Sequence, residues 1–330
     1  MGDEMVKAIR FHEFGGPEVL KFEDINVGDP APGEVRIRHT AIGFNFLDAL
    51  VRAGKYPVLP ELPAIPGAEG AGIVEAVGGD VKNLAVGQRI VYAATIPGAY
   101  TEARLIEAHH VVALPDAISE DDAAASFLKG MTVEYLIKRC YRISEGETAL
   151  VHAAAGGVGQ IMCQWLRHLG VVVIGATTSD EKKDLILSNG AAYAVNSSTE
   201  NIGDVVKDVT GGEGVNVVYD SVGPDVWSTS IDTLRPRGYY VNYGNSSGPL
   251  APIDAVDLNV KGSLFFTKTS MRFYQLTREE LENSAAALFD VMERGVVRPV
   301  IGQRYNLSDA AQAQIDIMEK RTTGSTILVP

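Results

Sequence analysis

The stretch from Thr148 to Lys183 restricts the fold of this chain more than any other. It sets a short apolar run, a cluster of small residues, an amphipathic segment and a second apolar run in immediate succession. Thr148-Ala149-Leu150-Val151 suits a buried strand, and small residues from Ala153 to Gly159 follow at once. Ile161, Met162, Trp165, Leu166 and Leu169 then recur at helical spacing, and Gly170 stops that helix. Val171-Val172-Val173-Ile174 reads as a second buried strand. Strand, glycine turn, helix and strand make a βαβ unit of dinucleotide-binding type. Gly156 and Gly157 leave no side chain between backbone N–H groups and a pyrophosphate. Gly159 lets the start of the helix lie close to the first strand, and the positive end of the helix then faces the phosphates. The fingerprint is A-x-G-G-V-G, with Ala154 at the first glycine position. The glycine turn alone is a weak signal, and its weight comes from the strand before it and the helix and strand after it.

The chain has 330 residues, enough for one large domain or two ordinary ones, and 46% of them are hydrophobic. Its net charge is −13, from 29 basic and 42 acidic residues. That balance, with no long basic run, disfavours nucleic acid and anionic membranes as partners. Cys140 and Cys163 are too few for a disulfide framework, and both lie in helix-like apolar patterns, which predicts buried free thiols. No signal-peptide pattern opens the sequence and no apolar run is long enough to span a bilayer. The expectation is a soluble, cytoplasmic protein.

Residues 1 to about 124 hold short alternating runs, such as Val35-Arg36-Ile37-Arg38-His39 and Gly87-Gln88-Arg89-Ile90-Val91, separated by prolines and glycines. This predicts an irregular β-rich domain, a partly open barrel. Ser119-Glu120-Asp121-Asp122 then reads as a helix cap with an acidic first turn, and a second helix is expected from about Thr132 to Tyr141. After the βαβ unit, further short strands are expected at 194–196, 215–219, 239–243 and 263–267, with helical patterns between several of them. The alternation predicts a parallel sheet with helices on both faces. A helix at 277–294, a strand near 297–305, a helix near 308–320 and a strand at 326–329 complete the chain. This tail is expected to return to the first domain.

Several separated motifs together resemble one superfamily. Gly67-Ala68-Glu69-Gly70-Ala71-Gly72-Ile73-Val74 is similar to the G-H-E-x-A-G-x-V segment of the medium-chain dehydrogenases/reductases. Within them, Asn45-Phe46-Leu47-Asp48, Tyr56-Pro57, Ala124 to Thr132, His152 to Gly159, Val218 to Gly223 and Gly244 to Gly248 resemble the bacterial quinone oxidoreductases related to zeta-crystallin. The resemblance covers essentially the whole chain. It implies an α/β protein with a GroES-like catalytic domain (1–124 and 268–330) and a Rossmann domain (125–267) with a doubly wound parallel sheet. It also implies hydride transfer from NADPH to a quinone. Zinc members of the superfamily place Cys and His where this chain has Asn45 and Ala68, neither of which can replace a thiolate or imidazole ligand. His109-His110 is the only tempting pair among the histidines, but neighbours on a strand point to opposite faces. No metal is therefore expected.

The resemblance further places Asn45 and Tyr56 near the nicotinamide and the substrate cleft, and Thr132 at the carboxamide. Ala155, Gly156, Gly157 and Val158 form the phosphate turn, with Gly175 on the following strand. Ser221 and Val222, then Tyr243, Gly244 and Asn245, lie where strand ends open into a crevice. Phe265, Phe266 and Thr267 resemble a segment near the cofactor that also serves as a dimer edge, and Arg321 and Ser325 are further candidates. For the choice of NADPH over NADH, the acid expected to bind the ribose hydroxyl is replaced by Thr177. Asp180 and Glu181 fit the first turn of a helix capped by Ser179, and Lys182 resembles a 2′-phosphate ligand, with Ser197 adding a hydroxyl. The apolar run Gly262 to Thr267 should lie at a sheet edge and, by resemblance, join two subunits. Two other readings stand beside this one. The first is a zinc-free reductase of enals or enones. The second is an NADPH-binding protein with little catalysis, or an RNA binder, which the acidic balance disfavours.

Overall fold

The computed structural model describes residues 4–93 and 97–330. The first part of the chain runs β1 (Met5–Arg10), β2 (Lys21–Asn26), β3 (Glu34–Phe44), α1 (Phe46–Arg52), β4 (Glu69–Val77), β5 (Arg89–Ala93), β6 (Ala103–Glu107), β7 (Val111–Ala113) and α2 (Glu120–Tyr135). Next come β8 (Thr148–Val151), α3 (Gly157–His168), β9 (Val172–Thr177), α4 (Lys183–Ser188), β10 (Tyr193–Asn196), α5 (Ile202–Thr210), β11 (Val215–Asp220), α6 (Pro224–Ile231), β12 (Leu234–Asn242), α7 (Ala255–Val260) and β13 (Phe265–Lys268). The chain closes with α8 (Arg278–Glu293), β14 (Ile301–Asn306), α9 (Ala310–Met318) and β15 (Ser325–Val329).

Two compact units divide these elements. One comprises 1–129, 277–293 and 298–330, and the other 130–276 and 294–297. In the first unit a sheet of order β14-β15-β3-β4-β5-β7, with β6 also on β3, is antiparallel apart from the β14–β15 pair. Its core holds Phe11, Ile37, Ile42, Phe44, Ile90, Tyr92, Tyr100 and Leu328. Alternation along β3 sends Val35 and Ile37 inward, and the β3–β4 register shifts twice, which curls the sheet. In the second unit six parallel strands lie in the order β10-β9-β8-β11-β12-β13. Relabelled by position within the unit this is 3-2-1-4-5-6, the doubly wound order. Its strands are near-continuous apolar runs because parallel sheets are covered on both faces.

Three local expectations fail. The chain forms one α-helix through Gly130 and Thr132, which ends at Tyr135 and is followed by a π turn, Leu136–Cys140, rather than a second helix from Thr132. Ala124, Ala125, Phe127, Met131 and Val133 are buried around Gly130, and their packing outweighs roughly 1 kcal/mol of helix propensity lost at a glycine. His109 and His110 stand on a 3-10 turn, Ala108–His110, not on a strand, so their side chains are not sent to opposite faces. Ser179 precedes a 3-10 turn, Asp180–Lys182, without capping it. Its hydroxyl donates to Glu181 Oε2 at 2.6 Å instead. The Ser119 cap of α2 does form, with its Oγ accepting from the Asp122 N–H at 3.1 Å. Among the described residues no helix is long and apolar enough to cross a membrane.

Candidate active site

In the second unit the sheet order reverses between β8 and β11, and open α/β sheets bind ligands outside the carboxyl ends of the strands at such a point. The turn leaving β8 carries Ala153 at φ 49° and closes with the Gly156 N–H donating to the Ala153 carbonyl at 2.9 Å. Gly156 itself is extended, and a Cβ there would meet only the Ala153 carbonyl oxygen, at 3.3 Å. Its missing side chain leaves open room in front of the first amides of α3, those of Gly157 and Val158, as a phosphate cradle requires. Gly159 acts differently. A Cβ on it would lie 2.5 Å from the Ala153 oxygen and 2.6 Å from Ala154 Cα, so only glycine lets α3 start against the turn. The Ala155 carbonyl accepts from Gln160 Nε2 at 2.7 Å, which braces the turn from inside. Gly175 is a packing position: a Cβ there would meet Ile186 Cγ2 at 2.4 Å and Ala154 Cβ at 3.0 Å.

The strand after the helix extends to Thr177, which is buried. Ser197 is tied to that strand end, since its N–H and its hydroxyl both donate to the Thr177 carbonyl, at 2.8 and 3.0 Å. Lys182 ends the 3-10 turn that follows Ser179, half-buried, and its neighbour Lys183 pairs with Glu200 at 2.7 Å. No carboxylate occupies the last position of β9.

The ends of β11 and β12 are bound together by Asp220, which is fully buried. Its Oδ1 accepts from the N–H groups of Val222 and Gly223, and its Oδ2 accepts from the Tyr240 hydroxyl at 3.0 Å and Asn242 Nδ2 at 2.6 Å. Lys268 Nζ then donates to Asn242 Oδ1 at 2.5 Å and Asn245 Oδ1 at 2.9 Å. Gly244 packs so closely that a Cβ would lie 2.7 Å from the Ser221 carbonyl oxygen. Ser221, Val222, Tyr243, Gly244 and Asn245 therefore belong to one rigid lip, with the Tyr243 N–H donating to the Asp220 carbonyl at 2.8 Å. A cavity of about 520 Å³ beside this lip is lined by Asn242, Asn245, Leu250, Phe266 and Lys268 among others. Phe265 and Phe266 are packing residues in this unit: Phe265 stacks on Tyr239 and Phe266 packs against Trp227 and Tyr240. Thr267 pairs with Val241 in the sheet. Thr132 is buried inside α2 near Met271, not at a helix start.

The first unit holds a buried polar cluster. Asn45 precedes α1, and its Nδ2 donates to Glu69 Oε2 at 2.8 Å. Glu69 Oε1 accepts from the Leu128 N–H at 2.6 Å, and Lys129 Nζ lies 3.4 Å from Glu69 Oε2 and donates to the Phe44 carbonyl. Gly43 makes room for this carboxylate, because a Cβ there would sit 2.5 Å from Glu69 Oε2. Asp48 reaches back from the first turn of α1, with its Oδ2 accepting from the Asn45 N–H and the Tyr100 hydroxyl, each at 3.0 Å. Its Oδ1 is buried without a partner. Burial pushes the Asp48 carboxyl up to about 7, against the pull of those two hydrogen bonds. Tyr56, half-buried after α1, packs on the core of this unit beside a loop whose Val58, Leu59 and Leu62 are exposed. Arg321 is held by Asp316 and Glu319 at the end of α9, and Ser325 is buried at the start of β15, where its N–H donates to the Val300 carbonyl. Neither joins the Asn45 cluster through any of these bonds.

This donor set does not fit the zinc of the superfamily's metal-dependent members. The Asn45 amide nitrogen is spent on Glu69, Ala68 offers no ligand atom, and the Glu69 carboxylate is already held by an ammonium and a backbone N–H. Asp48, Glu69, Lys129, Asp220, Asn242, Gln160 and Lys268 were given no site role from sequence, although Asp48, Glu69, Lys129 and Asp220 lie inside the motifs that carry the resemblance. Asn45-x-x-Asp48 was the one legible signal, since an acid three residues after an N-cap commonly reaches back to it.

Residues 31–116 match the alcohol dehydrogenase GroES-like domain, and residues 157–289 match the zinc-binding dehydrogenase domain. A quinone oxidoreductase of Pseudomonas aeruginosa is 46% identical over 99% of this chain and 100% of its own length. A crystal structure of Escherichia coli quinone oxidoreductase complexed with NADPH superposes with a TM-score of 0.95 at 44% identity, covering 98% of this chain and all of that one. A 2-haloacrylate reductase of Burkholderia sp. is 41% identical over 99% of both chains. With identity at that level along its whole length, and with a donor set behind Asn45 that does not suit zinc, the chain belongs to the zeta-crystallin-like quinone oxidoreductases of the medium-chain dehydrogenase/reductase superfamily.

Proposed function

We propose that this protein is an NADPH-dependent quinone oxidoreductase that works without a metal. The observation that carries the reading is the full-length likeness to quinone oxidoreductases joined to a donor set at Asn45, Ala68 and Glu69 that suits hydrogen bonding and not zinc. When bound, NADPH supplies the hydride; the protein positions the partners and excludes water. A quinone accepts a hydride without Lewis-acid help, and the hydroquinone anion takes its proton from water, so no dedicated general acid is needed. The phosphate cradle is assigned to Ala155, Gly156, Gly157 and Val158, and the nicotinamide side to Ser221, Val222, Tyr243, Gly244 and Asn245. The open room at Gly156 and the rigidity of the Asp220 lip support this. Lys182, flanked by Ser179 and Ser197, is assigned to the 2′-phosphate. Asn45, held by Glu69 and Asp48, and Tyr56 are assigned to the acceptor. A spectrophotometric screen of NADPH oxidation tests the function. Turnover with benzoquinones supports it, and no turnover with any quinone refutes it.

A second reading is reduction of an activated carbon–carbon double bond, favoured by the likeness to the 2-haloacrylate reductase. The same screen separates the two when α,β-unsaturated ketones and haloacrylates are included. We assign the protein to the cytoplasm, a reading that two free cysteines and no disulfide among the described residues support. We also assign it a homodimeric state. Among the described residues no strand pairs with the outer edge of the terminal strand β13, Phe265 is half exposed there, and Val256 and Val260 on the preceding α7 are exposed as well. Sedimentation should give a dimer at micromolar concentration, and Phe265→Glu should shift it toward monomer. A wild-type monomer would refute the assignment.

A further inference from the structure

The turn between β6 and β7 gathers three potential metal ligands on the first unit, Glu107, His109 and His110. One ligand atom from each lies within 4.8 Å of the other two. The imidazole rings are 3.9 Å apart by centroid, and His109 Nδ1 is 3.0 Å from Glu107 Oε2. A zinc ion bonded to nitrogen and oxygen at about 2.0–2.2 Å needs ligand atoms a little over 3 Å apart. Glu107 and His109 are exposed and His110 is half-buried, so side-chain rotation is the movement that closing the gap would call on. The backbone beneath them is already fixed. Arg278 Nη1, reaching from α8, donates to the carbonyls of Ala108, His109 and Val111, at 3.4, 3.0 and 2.7 Å. The turn therefore presents its side chains from a clamped base, which lowers the ordering needed on binding. Arg104 and Arg278 are the nearby cations that oppose a divalent ion, and the Glu107 carboxylate, together with Glu282 paired to Arg278 at 2.7 Å, offsets them.

We propose that Glu107, His109 and His110 form a surface site for a divalent late first-row transition ion, with zinc or nickel as the matching class. Two imidazoles and one carboxylate are the borderline ligands these ions prefer over magnesium or calcium. With Glu107 and His109 exposed, the ion's remaining positions would be taken by water, and the three ligands share none of the hydrogen bonds of the Asn45–Glu69 cluster.

The test is isothermal titration of zinc chloride and nickel chloride into metal-free, tag-free full-length protein. One ion should bind per chain in the micromolar range. His109→Ala and His110→Ala should each weaken binding at least about tenfold, and Glu107→Gln should weaken it by a smaller factor. His168→Ala, on the second unit, should leave it unchanged. All four residues lie at the surface or half-buried, and matching melting curves without metal establish that the variants fold. Anomalous scattering from a zinc-soaked crystal locates the ion directly. Binding that survives in the His109→Ala and His110→Ala proteins, or no binding at millimolar zinc, overturns the proposal.

Discussion

Asp48→Asn tests whether a neutral carboxyl sits behind Asn45. The group is fully buried, one of its oxygens has no partner, and burial raises its pKa from an ordinary 3.8 to about 7. A shift of roughly 3 units corresponds to about 4 kcal/mol. Glu69 adds to the upward shift and Lys129 opposes it, so both belong to the balance being tested. The native state holds this proton more tightly than the unfolded chain. The stabilisation is therefore complete below about pH 4 and declines as the unfolded chain ionises. It is gone once the pH has passed about 7, where the native carboxyl ionises too. Asparagine copies the protonated acid: its carbonyl can still accept from the Asn45 N–H and the Tyr100 hydroxyl, and it has no proton to lose. Urea unfolding of both proteins from about pH 5 to about pH 8.5, with the difference taken at each pH, isolates this one titration. The variant should gain stability relative to the wild type as pH rises, by up to a few kcal/mol, with a plateau above about pH 7. A difference that stays flat, or that favours the wild type more at high pH, would refute the reasoning.

Three further outcomes are expected. Lys182→Ala should raise KM for NADPH by about 10- to 100-fold, the worth of a charge-assisted bond of roughly 1.5–3 kcal/mol, and leave KM for NADH nearly unchanged; steady-state kinetics with both cofactors decides this. Gly159→Val should destabilise the second unit by at least about 1–3 kcal/mol, because its Cβ would lie 2.5 Å from a carbonyl oxygen, and should weaken NADPH binding in the same titration. Exhaustive chelation should leave quinone turnover intact, since neither Asn45 nor Ala68 ligates zinc and the Glu107–His110 turn shares none of the hydrogen bonds of the Asn45–Glu69 cluster. Activity lost with chelation and restored by zinc would overturn that view.

The parts of the fold legible in sequence are those whose cause is local. The βαβ unit could be read because its strand, turn and helix follow one another, and the steric need for Gly159 arises from residues only five and six positions away. The apolar edge strand was legible for the same reason, although it starts at Phe265 rather than Ser263. The site networks were not. Glu69 meets Asn45 24 positions away and the Leu128 N–H 59 positions away, and Asp220 meets Asn242 22 positions away. No periodicity announces such pairs. The unbroken α2 was missed because Gly130 signals a break locally, whereas the side chains around it are decided by tertiary burial. The His109-His110 pair was misread as strand residues because a 3-10 turn is too short to leave a pattern.

The pairing of β15 with β3 has a consequence for the order in which the chain can fold during its synthesis. β6 covers one end of an edge of β3, at Glu34–Arg38, and the other end, Ile42–Phe44, waits for Thr326–Leu328. The second unit is almost continuous in the chain and is complete on the ribosome before β15 exists. The nascent first unit meanwhile carries an open strand edge one residue before Asn45, which is a template for pairing with other nascent chains. Translation that stops between the two units' final segments would then yield a chain able to hold the nucleotide yet unable to brace the strand that presents Asn45. Strand β15 thus ties the polar cluster to a segment made long after it: the β3 end beside Asn45 is paired on this edge only once Thr326–Leu328 have been synthesised.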